Sequence, residues 1–233
     1  RGIIRILHVK SFIDDPTRIF RAARYCARFG WKPEPATEKL IHECSCKNIP
    51  ALLSRERIKN ELLRILQEKE PENVFRFLKN WKMLKFIHPD FKYNKLVSFE
   101  LLPMERLGII ACRMRNNGLN FLKNLELERK DFFYLKNIYE IHFNKTSPRK
   151  KLSFRALKLL KILNPGVSGS ALKPLFINGF DLMRLGIHNT KNYSGILNKI
   201  SEAQWQGKFN SKKQAIAWIK RQNIECSKGL LAP

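Results

Sequence analysis

The sequence predicts an all-α protein. Glycine and proline punctuate the chain into helix-length segments, and those segments carry apolar residues at helical intervals behind recognisable caps. Hydrophobic residues make up 44% and aromatic residues 11% of the 233 positions, which suits buried cores and argues against disorder. A chain of this length forms one large domain or about two to three small ones.

The first strong element runs from Asp14 to Trp31. Pro16 suits a first helical turn, Asp14 or Asp15 can accept from its exposed N–H groups, and Gly30 can close it in a left-handed conformation. Pro33-Glu-Pro35 predicts a rigid turn, followed by a short helix from Thr37 to about Cys44. Ser54 caps a helix whose apolar face is Leu62, Leu63, Ile65 and Leu66. Pro71 restarts the chain, and Val74, Phe75, Phe77, Leu78, Trp81, Leu84, Phe86 and Ile87 then cluster. Such rings can stack RNA bases, but at helical spacing they read as core. Leu107 to Met114 and Asp131 to Phe143 predict two further helices, with Asn116-Asn117-Gly118 as the loop between layers. Ser147 to Lys151 is a basic linker, and the helix predicted from Phe154 to Leu163 carries Arg155, Lys158 and Lys161 on one face. From about Ile224 periodicity is lost and a disordered end is expected.

Within the first helix, Arg18, Arg21, Arg24 and Arg28 are spaced three, three and four, which keeps them on one side of a helix turning about 100° per residue. Small and apolar residues from Ile19 to Phe29 fill the remainder. A basic stripe on a buried helix requires anions. Spacing alone leaves two sources open, a bound anion or acids such as Glu43, Glu56 and Glu61 in a bundle.

At the mouth of the helix, Asp15 and Arg18 are neighbours across the first turn. A carboxylate only accepts hydrogen bonds and a guanidinium only donates. Side by side they complement the Watson–Crick edge of cytosine or adenine, where an exocyclic amine adjoins an accepting ring nitrogen. Guanine or uracil would bring a carbonyl oxygen against the carboxylate. Asp14 and Asp15 make a poor metal pair, because adjacent residues at a helix start diverge and the arginines compete with a cation.

Lys and Arg total 45 against 20 Asp and Glu, a net charge of +25 spread along the chain. Such a field attracts polyanions, RNA or DNA ahead of an anionic membrane. No apolar run approaches the roughly 20 residues of a membrane span, and no signal-peptide pattern is present. Five cysteines (Cys26, Cys44, Cys46, Cys112, Cys226) lack framework spacing and suit a reducing compartment. His42, Cys44 and Cys46 lack the partner pair of a zinc site. Candidate RNA contacts are Arg28, Arg149, Lys150, Lys151, Arg155, Lys158, Lys161 and Lys191. The last helix among them reads equally as a solvated amphipathic helix.

Ser11 to Trp31 reads Ser-Phe-Ile-Asp-Asp-Pro-Thr-Arg-Ile-Phe-Arg-Ala-Ala-Arg-Tyr-Cys-Ala-Arg-Phe-Gly-Trp. It resembles the neck-helix motif, Glu/Asp-Asp-x-x-Arg, of class II (bacterial-type) tRNA nucleotidyltransferases and their poly(A) polymerase relatives, with Asp14, Asp15 and Arg18 at the motif positions. Leu53-Ser-Arg-Glu-Arg-Ile-Lys-Asn-Glu-Leu62 resembles the family's following motif, Leu-Ser-x-Glu-Arg-Ile-x-x-Glu-Leu, which braces the neck helix. A third stretch, Ile177 to Ile187 with Ile196 to Ile200, Glu202-Ala203, Gly207-Lys208 and Ala215 to Trp218, resembles the tail of the long members. Their Gly-Pro turn is replaced here by His188 to Asn192, which would pass any phosphate contact to Lys191 or the start of the following helix.

The resemblance implies an elongated arrangement. Residues 1–8 would end a head domain, with Gly2 to Leu7 as its last strand. Residues 9–92 would be the neck, 93–165 a helical body, 166–223 a tRNA-binding type of tail and 224–233 the disordered end. In the family an aspartate and an arginine select CTP, then ATP, without a nucleic-acid template. That role falls by resemblance on Asp15 and Arg18, with Asp14, Arg21 and Arg24 completing the nucleotide pocket. The implied partner is tRNA, the implied reaction is addition of C or A to its 3′ end, and the implied location is cytoplasmic. The family's chemistry uses Mg2+ on a carboxylate pair in the head domain. The Gly-Ser head signature that accompanies an Asp-x-Asp pair is missing from these residues, as are the Asp-x-Asp and the Arg-Arg-Asp segment themselves. The expectation is therefore a chain inactive by itself that works with a catalytic head in cis or in trans. Other readings are a non-catalytic RNA-binding module left after loss of the head, a polyadenylating relative and a helical DNA-binding protein.

Overall fold

The structure is a computed structural model that describes residues 2–93, 101–187 and 192–222. Among these, the only strands are β1 (Ile3–Ile4) and β2 (Lys32–Pro33), paired in parallel with Ile3 opposite Lys32. The rest is helical, as the all-α expectation requires. The helices are α1 (Ser11–Asp14), α2 (Thr17–Phe29), α3 (Pro35–Cys46), α4 (Arg55–Leu66), α5 (Pro71–Asn80), α6 (Leu84–Ile87) and α7 (Pro103–Arg113). They continue with α8 (Gly118–Asn124), α9 (Arg129–Asn144), α10 (Phe154–Leu163), α11 (Gly179–Arg184), α12 (Tyr193–Trp205) and α13 (Lys212–Arg221). The chain divides into two units, Arg1–Tyr139 and Glu140–Pro233. The expected turn at His188 to Asn192 (all but Asn192) and the expected disordered end lie outside the described residues.

In the first unit α2 packs on α4 and α5 through Ile19, Phe20, Ala22, Ala23 and Cys26. Gly30 closes α2 in the left-handed conformation (φ 65°), donating its N–H to Cys26 O. Ser54 caps α4 as expected, its side chain accepting from Arg57 N. The aromatic cluster is core: Val74, Phe75, Leu78, Trp81, Met83 and Ile87 are buried, and Trp81 Nε1 donates to Glu38 Oε1 at 2.9 Å.

Two local expectations are corrected. Pro33-Glu-Pro35 is a strand end running into a helix, not a turn. Lys32 N donates to Gly2 O at 3.0 Å and Glu34 N to Ile4 O at 2.9 Å, so Pro33 sits at the one position that needs no N–H. Pro35 then takes the first turn of α3, which starts two residues ahead of Thr37. Nor is Asn116-Asn117-Gly118 an open loop. Arg115–Asn117 is a 3-10 turn and Gly118 begins α8, buried against α7. A Cβ on Gly118 would stand 2.0 Å from the Ala111 carbonyl oxygen and 2.6 Å from the Tyr139 ring. The glycine serves close backbone approach rather than turn geometry, which is why turn chemistry misleads here. Gly118→Ala should therefore cost about 3 kcal/mol by overpacking, read as a lower urea midpoint at unchanged m-value.

The second unit is held by Ile177, Leu182, Ile187, Ile200, Ala203, Phe209, Ala215 and Ile219. Asn178 and Asp181 form a reciprocal capping box at the start of α11, and Lys212 Nζ reaches Asp181 Oδ1 at 2.7 Å from the start of α13. Buried Gln204 on α12 accepts from Phe176 N at 3.0 Å and donates to the carbonyls of Ser170, Lys173 and Pro174. This one amide fixes a stretch without regular structure against the helices.

Candidate functional site

The α1–α2 junction is built around Asp15. Its backbone is extended (φ −145°, ψ 93°), which separates the two helices. Of the two possible capping acids, Asp15 is the one used. Its Oδ1 accepts from Thr17 N at 3.1 Å and from Thr17 Oγ1 at 2.6 Å. Arg57, from the first turn of α4, donates a third hydrogen bond to the same oxygen at 2.7 Å. Burial pushes the Asp15 carboxyl up, but the Thr17 hydrogen bonds and the guanidinium charges of Arg57 and Arg18 outweigh it. The carboxyl is held below its ordinary value and is charged at neutral pH.

Arg18 lies beside it without closing on it. Its Nε is 3.9 Å from Asp15 Oδ2, while its Nη1 donates to Ser11 Oγ at 2.9 Å and to Ser11 O at 3.4 Å. An acceptor oxygen and a donor edge thus stand next to each other, each fixed from behind by another residue. The side chains are 25% and 43% exposed, so both reach solvent. Arg21, one turn on, is exposed and makes no ion pair with a described residue. Asp14 is exposed at the end of α1, with Oδ2 4.0 Å from His8 Nδ1.

The second half of the stripe has another environment. Arg24 is only 13% exposed and lies between Glu68 Oε1 at 3.1 Å and Glu61 Oε2 at 3.6 Å. Arg28 donates Nε to Glu68 Oε2 at 3.0 Å and Nη2 to Glu68 Oε1 at 2.6 Å, and Arg64 Nη1 donates to Glu61 Oε1 at 2.6 Å. Burial raises the Glu68 carboxyl, yet the hydrogen bonds and charges of Arg28 and Arg24 bring it below its ordinary value. Arg106 on α7 completes the cluster, its Nη1 donating to the carbonyls of Leu66 at 2.8 Å and Glu68 at 2.7 Å. The stripe therefore splits. Arg18 and Arg21 face solvent, and Arg24 and Arg28 are met by acids. Of the acids considered from sequence, Glu61 is a partner; Glu43 and Glu56 make no ion pair with the stripe among the described residues. Glu68 carries the largest share and was missed, because 40 and 44 residues separate it from its arginines. Ser11 and Arg57 were also unassigned as partners, although Thr17, two residues after Asp15, carries the signal of a local side-chain cap.

A cavity of about 300 Å3 lined by Ala27, Arg28, Glu68, Lys69, Glu70 and Val74 adjoins the inner cluster, and neither Asp15 nor Arg18 lines it. Among the described residues no group of three or more His, Cys, Asp or Glu is placed to hold a metal ion. Asp15 faces the guanidinium groups of Arg57 and Arg18, and Asp14 stands apart at the end of α1, so the residues present do not fit a divalent ion.

In the second unit, Ser153 caps α10 through Ala156 N, and Ala156, Leu159 and Leu160 form its buried side. Arg155 and Lys161 are exposed and Lys158 is half-buried. Lys150 and Lys151 are exposed in the preceding segment, where Arg149 Nη2 donates to Asn198 Oδ1 at 2.9 Å. Lys191 lies outside the described residues. No described helix is long and apolar enough to cross a membrane.

A family model described as the probable RNA and SrmB-binding site of polymerase A matches residues 30–95. An A-adding tRNA nucleotidyltransferase of Geobacter sulfurreducens is 41% identical over 87 residues, 37% of this chain and 10% of its own. One of Halalkalibacterium halodurans is 26% identical over 260 aligned positions, 94% of this chain and 59% of its own. The chain thus spans less than two thirds of the length of each of these relatives. A solved CCA-adding enzyme in complex with ATP shares the fold with a TM-score of 0.59 at 22% identity, over 100% of this chain and 65% of that one.

Proposed function

We propose that the chain is a member of the class II tRNA nucleotidyltransferase family, and that it forms the nucleotide-selecting and tRNA-holding part of an enzyme that adds C or A to the tRNA 3′ end. The observation that carries this reading is the open Asp15–Arg18 pair. Asp15 Oδ2 is the acceptor for the exocyclic amine of adenine or cytosine, and the free edge of Arg18 donates to the adjoining ring nitrogen. Arg21, exposed on the next turn, is the donor available to ribose or phosphate oxygens. In this reading Arg24 holds the neck together rather than touching nucleotide, given its two carboxylate neighbours. Asp14 stands outside the pair and contributes charge only.

The body and tail bind tRNA by shape and phosphate contact rather than base sequence, and Arg149, Lys150, Lys151, Arg155, Lys158 and Lys161 supply cations for it. The net charge of +25 favours such a partner. Phosphoryl transfer is assigned to a catalytic head domain, in cis or trans, which brings Mg2+. No step on the residues described here runs through that ion. The A-adding relatives make ATP the first nucleotide to test.

The test is binding of this chain to tRNA lacking its 3′ CCA, with duplex DNA as competitor, across a salt series. The expected result is preference for tRNA, with log K falling by about 0.7–0.9 per phosphate contact for each decade of salt. A and C incorporation should then appear when a catalytic head is supplied. Equal affinity for duplex DNA would overturn the tRNA assignment. Tight tRNA binding without incorporation, head present, would favour a non-catalytic module.

A further inference from the structure

The reading above requires the Asp15–Arg18 pair to stay open, and the structure contains a device that keeps it so. A guanidinium three residues beyond a carboxylate at a helix start is within reach of it and can close into a hydrogen-bonded ion pair. Here the gap stays at 3.9 Å. Resting on that reading, we infer that Ser11 is a positioning residue for nucleotide selection: its hydroxyl and carbonyl hold Arg18 Nη1, so the rest of the guanidinium remains turned outward beside an unclosed Asp15.

Several observations support this assignment. Arg18 is 43% exposed, so packing does not fix its head group. Both hydrogen bonds that anchor its guanidinium among the described residues go to Ser11, at 2.9 Å to Oγ and 3.4 Å to the carbonyl oxygen. The anchor is itself immobile: Ser11 is buried, its N–H donates to His8 O at 3.0 Å, and Phe12 beside it is buried in the core. Asp15 is held in the complementary way. The hydrogen bonds that Asp15 accepts from Thr17 and Arg57 all fall on Oδ1, and no described residue donates a hydrogen bond to Oδ2. Ser11 is too deeply placed to touch a nucleotide, so it acts through Arg18. Loss of its hydroxyl leaves only the longer carbonyl contact, and Arg18 swings onto Oδ2. The acceptor that distinguishes adenine and cytosine from guanine and uracil is then covered.

The experiment measures kcat/KM for ATP, CTP, GTP and UTP in the full-length enzyme carrying this neck, with Ser11→Ala, Ser11→Thr, Arg18→Ala, the double variant Ser11→Ala/Arg18→Ala, and Asp15→Ala. Ser11→Ala is expected to lower discrimination against GTP and UTP by about tenfold, the scale of a charge-assisted hydrogen bond. Ser11→Thr should restore it, and adding Ser11→Ala to Arg18→Ala should change nothing further. A structural role alone would lower the unfolding midpoint and the rates with all four nucleotides together, without rescue by Arg18→Ala. Unchanged selectivity in Ser11→Ala, or the same loss with and without Arg18, overturns the inference. If Ser11→Ala does not fold, Ser11→Cys fills the site with a slightly larger, weaker acceptor and carries the same expectation. Selectivity lost in Asp15→Ala but kept in Ser11→Ala removes only the role of Ser11. Selectivity kept in Asp15→Ala removes the base-reading function beneath it.

Discussion

Replacing Asp15 by alanine in the full-length enzyme should reduce discrimination of ATP and CTP over GTP and UTP by about 10- to 100-fold, with tRNA affinity changed by less than about twofold. The size follows from one bidentate base contact, worth about 1–3 kcal/mol between right and wrong base. The alanine also removes the cap on Thr17 N and the partner of Arg57, so about 1 kcal/mol of stability goes with it. Asp15→Asn separates the two effects. Its oxygen can still accept from Thr17 and Arg57, while an amide donor replaces the acceptor that the proposed function assigns to the base. Adenine and cytosine then lose their partner. Guanine and uracil gain one contact but still present a ring N–H to Arg18, so selectivity collapses without inverting. Steady-state rates with each nucleotide decide it. Either substituted enzyme rejecting GTP and UTP as well as the parent does would remove Asp15 from the selecting role.

Arg24→Met should destabilise the first unit by about 3 kcal/mol, the low end of the cost of breaking a buried ion pair from one side. Glu61 and Glu68 are 4% and 9% exposed and would each lose a cationic neighbour. Arg64 and Arg28 still hold one carboxylate each, which keeps the loss from growing larger. The unfolding midpoint in urea reads the effect, and the KM for ATP should be unchanged at temperatures where the variant is folded. A raised KM at unaltered stability would instead put Arg24 in the nucleotide pocket, the role the family resemblance implied for it. The contrast with Asp15 is informative because Asp15 stands at the mouth of the helix that carries Arg24. Asp15 meets solvent and two partly exposed arginines, Arg57 and Arg18, whereas Arg24 is enclosed by acids from α4 and the turn beyond it.

How much was legible depends on the range of the interactions. The cap of α4 at Ser54, the left-handed Gly30 and the apolar face of α2 involve residues within about five positions of one another, and helix period and hydrogen-bonding chemistry declare them. The pairing of Asp15 with Arg18 is local in the same sense. Asn116-Asn117-Gly118 misled because the same tripeptide serves a turn in solvent and a close contact in a core, and only the nearness of Ala111 distinguishes them. The two-residue sheet was invisible for another reason. β1 and β2 are too short for any period, and their partners lie 29 positions apart.

The sequence by itself therefore determined the all-α class, the capped arginine helix and the pair of residues at its mouth, since each is a matter of neighbours on one turn. Tertiary structure decided which arginines remain available. Packing of α2 against α4 and α5 brings Glu61 and Glu68 onto Arg24 and Arg28, sets Arg57 behind Asp15, and leaves Arg18 tethered to Ser11. Four arginines with the same spacing rule thus acquire different roles, because charge in a protein is governed by what is buried beside it and not by its place in the repeat.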